Sequence, residues 1–270
     1  MKFHNYATFN CQGLNSDIKK SNLADDFLSL KITVMMLQET RIKNQGVHRI
    51  TFSNGTTLLL YNSGHQTKSY AGTGFLVRAD ATATFQHISE RIGILKATLN
   101  KTKYVFISAY APTNESTIKD PDKTKDCYQS ISNIINIIGK KDMVIIDGDF
   151  NAKVKMFNKD PTLDEILGKY AKSRINENGE NLIELCNLHD LRITNTFFKH
   201  KPIHQTTWQS PIQYKNKIDS RTNKPRKNPY RNQIDYILVR NTKKINITDS
   251  KSTTNKITLF SDYKHKNCVA

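Results

Sequence analysis

The stretch MVIIDGDFN, residues 143–151, decides how the rest of the chain is read. Its apolar start shows no alternation with polar residues, which suits a short strand buried on both faces. The strand then delivers two oxygen-bearing side chains, Asp149 and Asn151, on either side of Phe150. Gly148, just before them, permits a tight backbone path. Asp and Asn also close strands because they suit turns, so one such ending is weak evidence of chemistry.

The pattern recurs along the chain. TFNC ends at Asn10, LQET at Glu39, NQID at Asp235 and LFSD at Asp262, each after an apolar run. If those strands share sheets, their ends meet at one rim. Several carboxylates gathered there repel one another unless a cation lies between them. Oxygen donors without cysteine favour Mg²⁺, with Mn²⁺ as the alternative, over zinc. Asn10, Glu39, Asp149, Asn151, Asp235 and Asp262 are therefore the candidate site residues.

Charge points to the substrate. The net charge is +17, and residues 199–270 hold 16 Lys/Arg against 4 Asp/Glu. A basic final quarter on a near-balanced body fits a polyanion-binding face, nucleic acid before a membrane surface. An oxygen-ligated metal beside such a face implies phosphoester chemistry. The long polar segment that precedes NQID contains four prolines and the cluster TNKPRKN, which is compatible with nuclear entry. Cys11, Cys127, Cys186 and Cys268 show no paired spacing, so an intracellular, reducing compartment is expected rather than a disulfide framework or zinc site. No apolar run reaches membrane-spanning length, and no obligate protein partner is expected.

Strands are expected in KFHNYATFNC, ITVMMLQET, TTLLLYN, GTGFLVRAD, ILKATLN, KYVFISAYAP, RITNTFF and NQIDYILVR. Helices are expected in DIKKSNLADDFLSL, with Ile18, Leu23, Phe27, Leu28 and Leu30 mostly on one side, in KDCYQSISNIINIIG and in NGENLIELCNLHDL. Irregular strand–helix alternation argues for an α/β fold in which a two-sheet β-sandwich is flanked by helices, four layers α/β/β/α. Residues 1–270 are read as one domain, with 199–231 as a basic, insertion-like loop.

Taken in order, FNCQGL, LQET, YAPT, GDFNAKV, NQIDYILV and SD resemble the endonuclease/exonuclease/phosphatase superfamily. More narrowly, GDFNAKV, NENGENLIELCNLHDLRITNTFFKHK and NPYRNQIDYILV resemble the endonuclease domain of non-LTR retrotransposons and the craniofacial-development-protein-2-like sequences derived from them. The resemblance covers essentially the whole chain. It implies Glu39 as the principal metal ligand with Asn10 beside it, Tyr110 near the scissile phosphate, and Asp149 orienting or deprotonating the attacking water. It further implies Asn151 as a phosphate contact, Asp235 as a buried acid near the leaving group, and Asp262 as the orienter of a histidine. The implied reaction is hydrolysis of a DNA phosphodiester, nicking one strand. Lys224, Arg226, Lys227 and Arg231 fall where such nucleases lie near DNA, and Tyr230 or Trp208 is a candidate stacking group, with ordinary sheet packing favoured for Trp208.

The chain departs from the family at its end, where Ser261-Asp262 is followed by Tyr263 instead of histidine. Tyrosine titrates near 10 and histidine near 6.5, so they do not carry protons alike at neutral pH. Either the acid/base is lost, or a bulge at Tyr263-Lys264 brings His265 into the slot. The last strand, reduced to CVA, is expected to be a truncated core strand, and the chain to be a fragment, a trimmed relic or a domesticated domain. The alternatives to an active DNA nuclease are a catalytically impaired nucleic-acid-binding relic, or a relative acting on apurinic DNA, RNA or a phospholipid.

Overall fold

The computed structural model describes residues 4–156, 163–171, 173–210, 218–219, 224–225, 230–242, 245–253 and 268–269. The first half carries β1 (Asn5–Asn10), α1 (Asp17–Ser29), β2 (Ile32–Gln38), β3 (Gln45–Thr51), β4 (Thr57–Ser63) and β5 (Thr73–Arg78). Then come β6 (Ala83–Ser89), β7 (Ile92–Leu99), β8 (Thr102–Tyr110), α2 (Asn114–Lys119), α3 (Pro121–Ile137) and β9 (Met143–Asp149). The remainder carries α4 (Glu177–Leu188), β10 (Leu191–Ile193), β11 (Trp208–Gln209), β12 (Ile218–Asp219), β13 (Lys224–Pro225), β14 (Arg231–Asn232), β15 (Asp235–Arg240), β16 (Lys251–Ser252) and β17 (Cys268–Val269).

These strands form two large sheets, β16-β17-β1-β2-β5-β4-β3 and β10-β15-β9-β8-β7-β6. The parallel pairs β1–β2 and β8–β9 are each joined through helix, as a same-direction crossover requires. Three apolar clusters define the layers. Phe27 and Leu23 of α1 pack with Met35 and Leu37 on one outer face. Met36, Phe75, Phe106 and Ile237 fill the space between the sheets. Tyr128 and Ile131 of α3 and Leu182 and Leu185 of α4 cover the other outer face. This is the four-layer α/β/β/α sandwich expected from the sequence.

Local sequence explains the helix starts. Ser16 caps α1 by accepting from the Lys19 amide at 3.2 Å, and Asp120 caps α3 just before Pro121. Ile18 is 75% exposed, so it does not belong to the apolar side of α1. The expected strand RITNTFF is cut to Leu191–Ile193, because Thr194–Thr196 turn into a 3₁₀ helix whose Thr196 hydroxyl donates to the Ile193 carbonyl. Two half-exposed edge-type strands, β3 and β6, and the short α2 were not foreseen, since none has a strong apolar pattern. The final strand is two residues long, yet it sits between β16 and β1, pairing Val269 with Ala7 and Cys268 with Thr8.

The central strand β9 places Asp149 at the sheet rim, opposite Tyr110 on β8 and Asp235 on β15. Gly148 makes this possible, because a Cβ there would lie 1.8 Å from the Ala109 carbonyl oxygen. A Gly148→Ala substitution should therefore push β8 and β9 apart at the rim and cost about 3 kcal/mol. Urea unfolding checks this, and an unchanged midpoint would show that the backbones separate freely.

Candidate active site

Four residues at the rim hold left-handed backbone, namely Gln12, Glu39, Arg41 and Asn151, with φ of 46°, 51°, 53° and 48°. Such conformations are costly for residues with side chains and persist only where the surroundings enforce them. Here they follow β1, β2 and β9, and they turn the side chains of three loops toward one cavity of about 450 Å³. Its lining includes Glu39, Tyr110, Asp149, Asn151, Lys153 and Trp208.

A single amide joins the two carboxylates. Asn10 Nδ2 donates to Glu39 Oε1 and to Asp149 Oδ2, both at 2.9 Å, and its Oδ1 accepts from the Gln12 amide at 3.2 Å. Tyr110 Oη donates to the same Glu39 Oε1 at 3.1 Å, and Arg41 Nη2 donates to Oε2 at 2.6 Å. Burial alone would raise the Glu39 pKa, but the hydrogen bonds from Asn10 and Arg41, the Arg41 charge and the Tyr110 hydroxyl outweigh it and hold the carboxyl below its usual range. Tyr110 is pushed up well beyond the ordinary phenol range, first by burial and then by Glu39 and Asp149, so it stays a proton donor.

Asp149 Oδ1 accepts from the Asn151 amide at 3.0 Å, which closes the turn. One Asn151 Nδ2 proton is committed to the Ala111 carbonyl at 3.0 Å, leaving the other for a ligand. Asp235, 1% exposed, is the cross-strand partner of Asp149. Arg231 is exposed on β14, its Nε donating to Gln209 at 3.3 Å, and Tyr230 is 41% exposed. Trp208 is half-buried; it both packs in the β11–β14 pair and lines the cavity. Lys224 lies on β13, opposite Asp219 of β12. Arg226, Lys227, Asp262, Tyr263 and His265 fall outside the described residues.

Several site residues carry no strand-end acid signature in the sequence. Arg41 directly follows LQET and neutralises Glu39. Arg91 donates to the Tyr110 carbonyl at 3.1 Å and stacks its guanidinium 5.0 Å from the Tyr110 ring centre, fixing that tyrosine from behind. Beneath the rim lies a buried polar layer between the sheets, in which Thr8 donates to Gln38, Gln38 to Ser108 and Ser108 to the Leu37 carbonyl. Asp147 sits at this level, fully buried, and neither carboxyl oxygen makes a hydrogen bond of good geometry. Only the alternation of β9, which puts Asp147 on the face of Asp149, could have flagged it.

Among the described residues no group of three or more His, Cys, Asp or Glu side chains is arranged to hold a metal. The donors at the rim, Glu39, Asp149 and the Asn10 amide oxygen, are nevertheless all oxygen. Mg²⁺ commonly binds through one or two carboxylates, retains water and takes further oxygen from a phosphate, so this donor set fits it. No helix among the described residues is long and apolar enough to cross a membrane.

With the fold and rim in view, residues 7–250 match the Endonuclease/Exonuclease/phosphatase family, and the chain belongs to it. Craniofacial development protein 2 of Bos taurus is 32% identical over 146 residues, 54% of this chain and 21% of that protein. The protein of the same name from Tragulus javanicus is 29% identical over 146 residues, 22% of its length. The chain thus matches only about a fifth of these curated relatives. Among solved structures, the endonuclease domain of TRAS1, a telomere-specific non-LTR retrotransposon, superposes with a TM-score of 0.60 at 14% identity, over 98% of this chain and 96% of that one. The Xenopus laevis APE2 catalytic domain gives 0.62 at 15% identity, covering 98% and 90%. The 3′ phosphatase NExo from Neisseria, bound to a product DNA hairpin, gives 0.62 at 16% identity, covering 99% and 98%. At these identities the likeness is one of fold.

Asp147 supplies a test of the buried layer. Burial raises its pKa well above the carboxylate range, Asp235 adds to the rise and Thr8 opposes it. The unfolded acid loses its proton near pH 4 while the folded one keeps it, so its share of stability is present below about pH 4 and is lost as pH rises. The stability advantage of Asp147→Asn over wild type should grow above about pH 4, by at most ~1.4 kcal/mol per pH unit. Urea unfolding at stepped pH measures this, and a gap constant with pH would show that Asp147 ionises normally when folded.

Proposed function

We propose that this protein is a metal-dependent phosphodiester hydrolase that nicks one strand of DNA. The observation that carries the reading is the Asn10-bridged pair, Glu39 and Asp149, at an open cavity shared with Tyr110, Asn151 and Lys153. A depressed Glu39 pKa keeps that carboxylate ionised as a cation ligand, with Asn10 beside it. Mg²⁺ or Mn²⁺ there would supply Lewis-acid neutralisation of phosphate charge.

The chain's own residues account for the rest of the reaction. Asp149, held by Asn10 and the Asn151 amide, orients the attacking water and draws its proton. Tyr110, kept protonated, and the remaining Asn151 amide proton donate to the charged phosphoryl oxygens. Asp235, beside Asp149 in the sheet, supports the leaving-group side together with Asp262 and His265. In this reading residues 1–270 act as one domain inside the cell. Lys224, Arg226, Lys227 and Arg231 of the basic 199–231 loop contact DNA phosphates and hold the duplex in register.

Supercoiled plasmid nicking in Mg²⁺ tests the proposal. Asp149→Ala should lower the rate about 10²–10⁴-fold, and EDTA should abolish it. A folded protein that binds DNA without nicking would instead support the impaired, binding-only reading. Cleavage confined to apurinic DNA, RNA or a phospholipid would reassign the substrate. A second prediction concerns charge: replacing Lys224, Arg226 and Lys227 together by glutamine should weaken DNA binding at every sequence and reduce the salt dependence by about three counterions. An unchanged slope would remove this loop from the interface.

A further inference from the structure

The helix that follows the site has an anchoring role that the catalytic residues do not explain. Residues 151–153 leave β9 and pass the start of α4, where Asn176 is the N-cap. Its side chain spans the two elements. Asn176 Oδ1 accepts from the Lys153 amide at 2.7 Å and from the Gly179 amide at 3.0 Å, while Nδ2 donates to the Asn151 carbonyl at 2.9 Å. An ordinary N-cap satisfies one helix amide, so two of these three bonds serve the loop rather than the helix.

The packing here leaves no slack. A Cβ on Gly179 would lie 2.0 Å from the Lys153 carbonyl oxygen, so the first turn of α4 presses on the loop backbone. Asn178, fully buried, ties the neighbouring strand end to the same turn, donating to the Pro112 carbonyl at 2.9 Å. Tyr128 of α3 donates to the Asn178 carbonyl at 3.0 Å, anchoring the turn to the helical layer. The loop after β8 and the loop after β9 are further joined by the Ala111 amide, which donates to the Asp149 carbonyl at 2.9 Å. These two cavity-lining loops are therefore stitched to one asparagine-rich helix start.

Two cavity groups lie on the stitched loop. Asn151 holds a left-handed backbone, with φ of 48°, which its surroundings must enforce. Lys153 lines the cavity with Glu39 and Asp149, and its ammonium makes no ion pair with a described residue. We propose that Asn176 is a positioning residue that fixes Asn151 and Lys153 against Asp149, so that an amide and a cation face the phosphate of the substrate. The proposal rests on the phosphodiesterase reading of the site.

Asn176→Ser and Asn176→Asp separate this role from helix capping. Serine still caps α4 but is too short to span to the loop. Aspartate keeps both acceptor contacts and caps at least as well, yet sets an oxygen against the Asn151 carbonyl in place of the donor. Both variants should melt within about 4 °C of wild type. Both should lose about 10- to 100-fold in kcat for plasmid nicking in Mg²⁺, the cost of a misplaced group. For the serine variant, which adds no charge, KM should change little. Amide hydrogen exchange adds a readout independent of turnover: the Lys153 amide should lose protection in the serine variant and keep it in the aspartate variant, with Gly179 protected in both. A serine variant with wild-type kcat and a protected Lys153 amide would overturn the proposal, as would a loss of kcat that merely follows loss of fold. Active wild type beside an equally active serine variant removes only the positioning role, whereas inert wild type removes the nuclease reading itself and the positioning role of Asn176 with it.

Discussion

Two carboxylates from different sheets share one amide, and the rest of the site depends on that contact. Glu39 directly follows β2 and Asp149 ends β9, in opposite layers of the sandwich, with Asn10, at the end of β1, bridging them. Without a donor between them, two acids at this separation would repel and drive one toward protonation. The Asn10 amide, Arg41 and Tyr110 together hold Glu39 ionised. A rim that concentrates negative charge is thereby held together by its own donors.

The sandwich exists in the form that makes this contact possible. The parallel pairs β1–β2 and β8–β9 bring strand ends to the same rim, and the missing side chain of Gly148 lets β9 approach Ala109. Left-handed residues then redirect the loops at no gain in local stability. Beneath them the polar layer of Thr8, Gln38, Ser108 and Asp147 replaces apolar packing between the sheets. Burying an acid there costs stability at neutral pH, a pattern common where function constrains a core.

Much of this was legible in the sequence because buried strands announce themselves. MVIIDGDFN and ITVMMLQET are continuous apolar runs that end in oxygen donors, and both strands and both donors lie where that reading puts them. Edge strands such as QGVHRIT have half-exposed surfaces and no such signature. Arg91 and Asn176 were illegible for another reason. Each acts through a backbone carbonyl or amide distant in sequence, 19 residues for Arg91 and 23 or 25 for Asn176, and no local pattern encodes such a partner. Trp208 both packs in a strand pair and lines the cavity.

The bridge between the sheets can be measured directly with a double-mutant cycle on plasmid nicking, using Asn10→Ala, Tyr110→Phe and the pair. Both side chains donate to the same oxygen, Glu39 Oε1, from opposite sheets. If they act as one unit on that carboxylate, the double variant should be little worse than the poorer single variant, a coupling of about 1 kcal/mol or more. Rate losses that simply multiply would contradict the account, because they would mean that the two sheets contribute to the site independently.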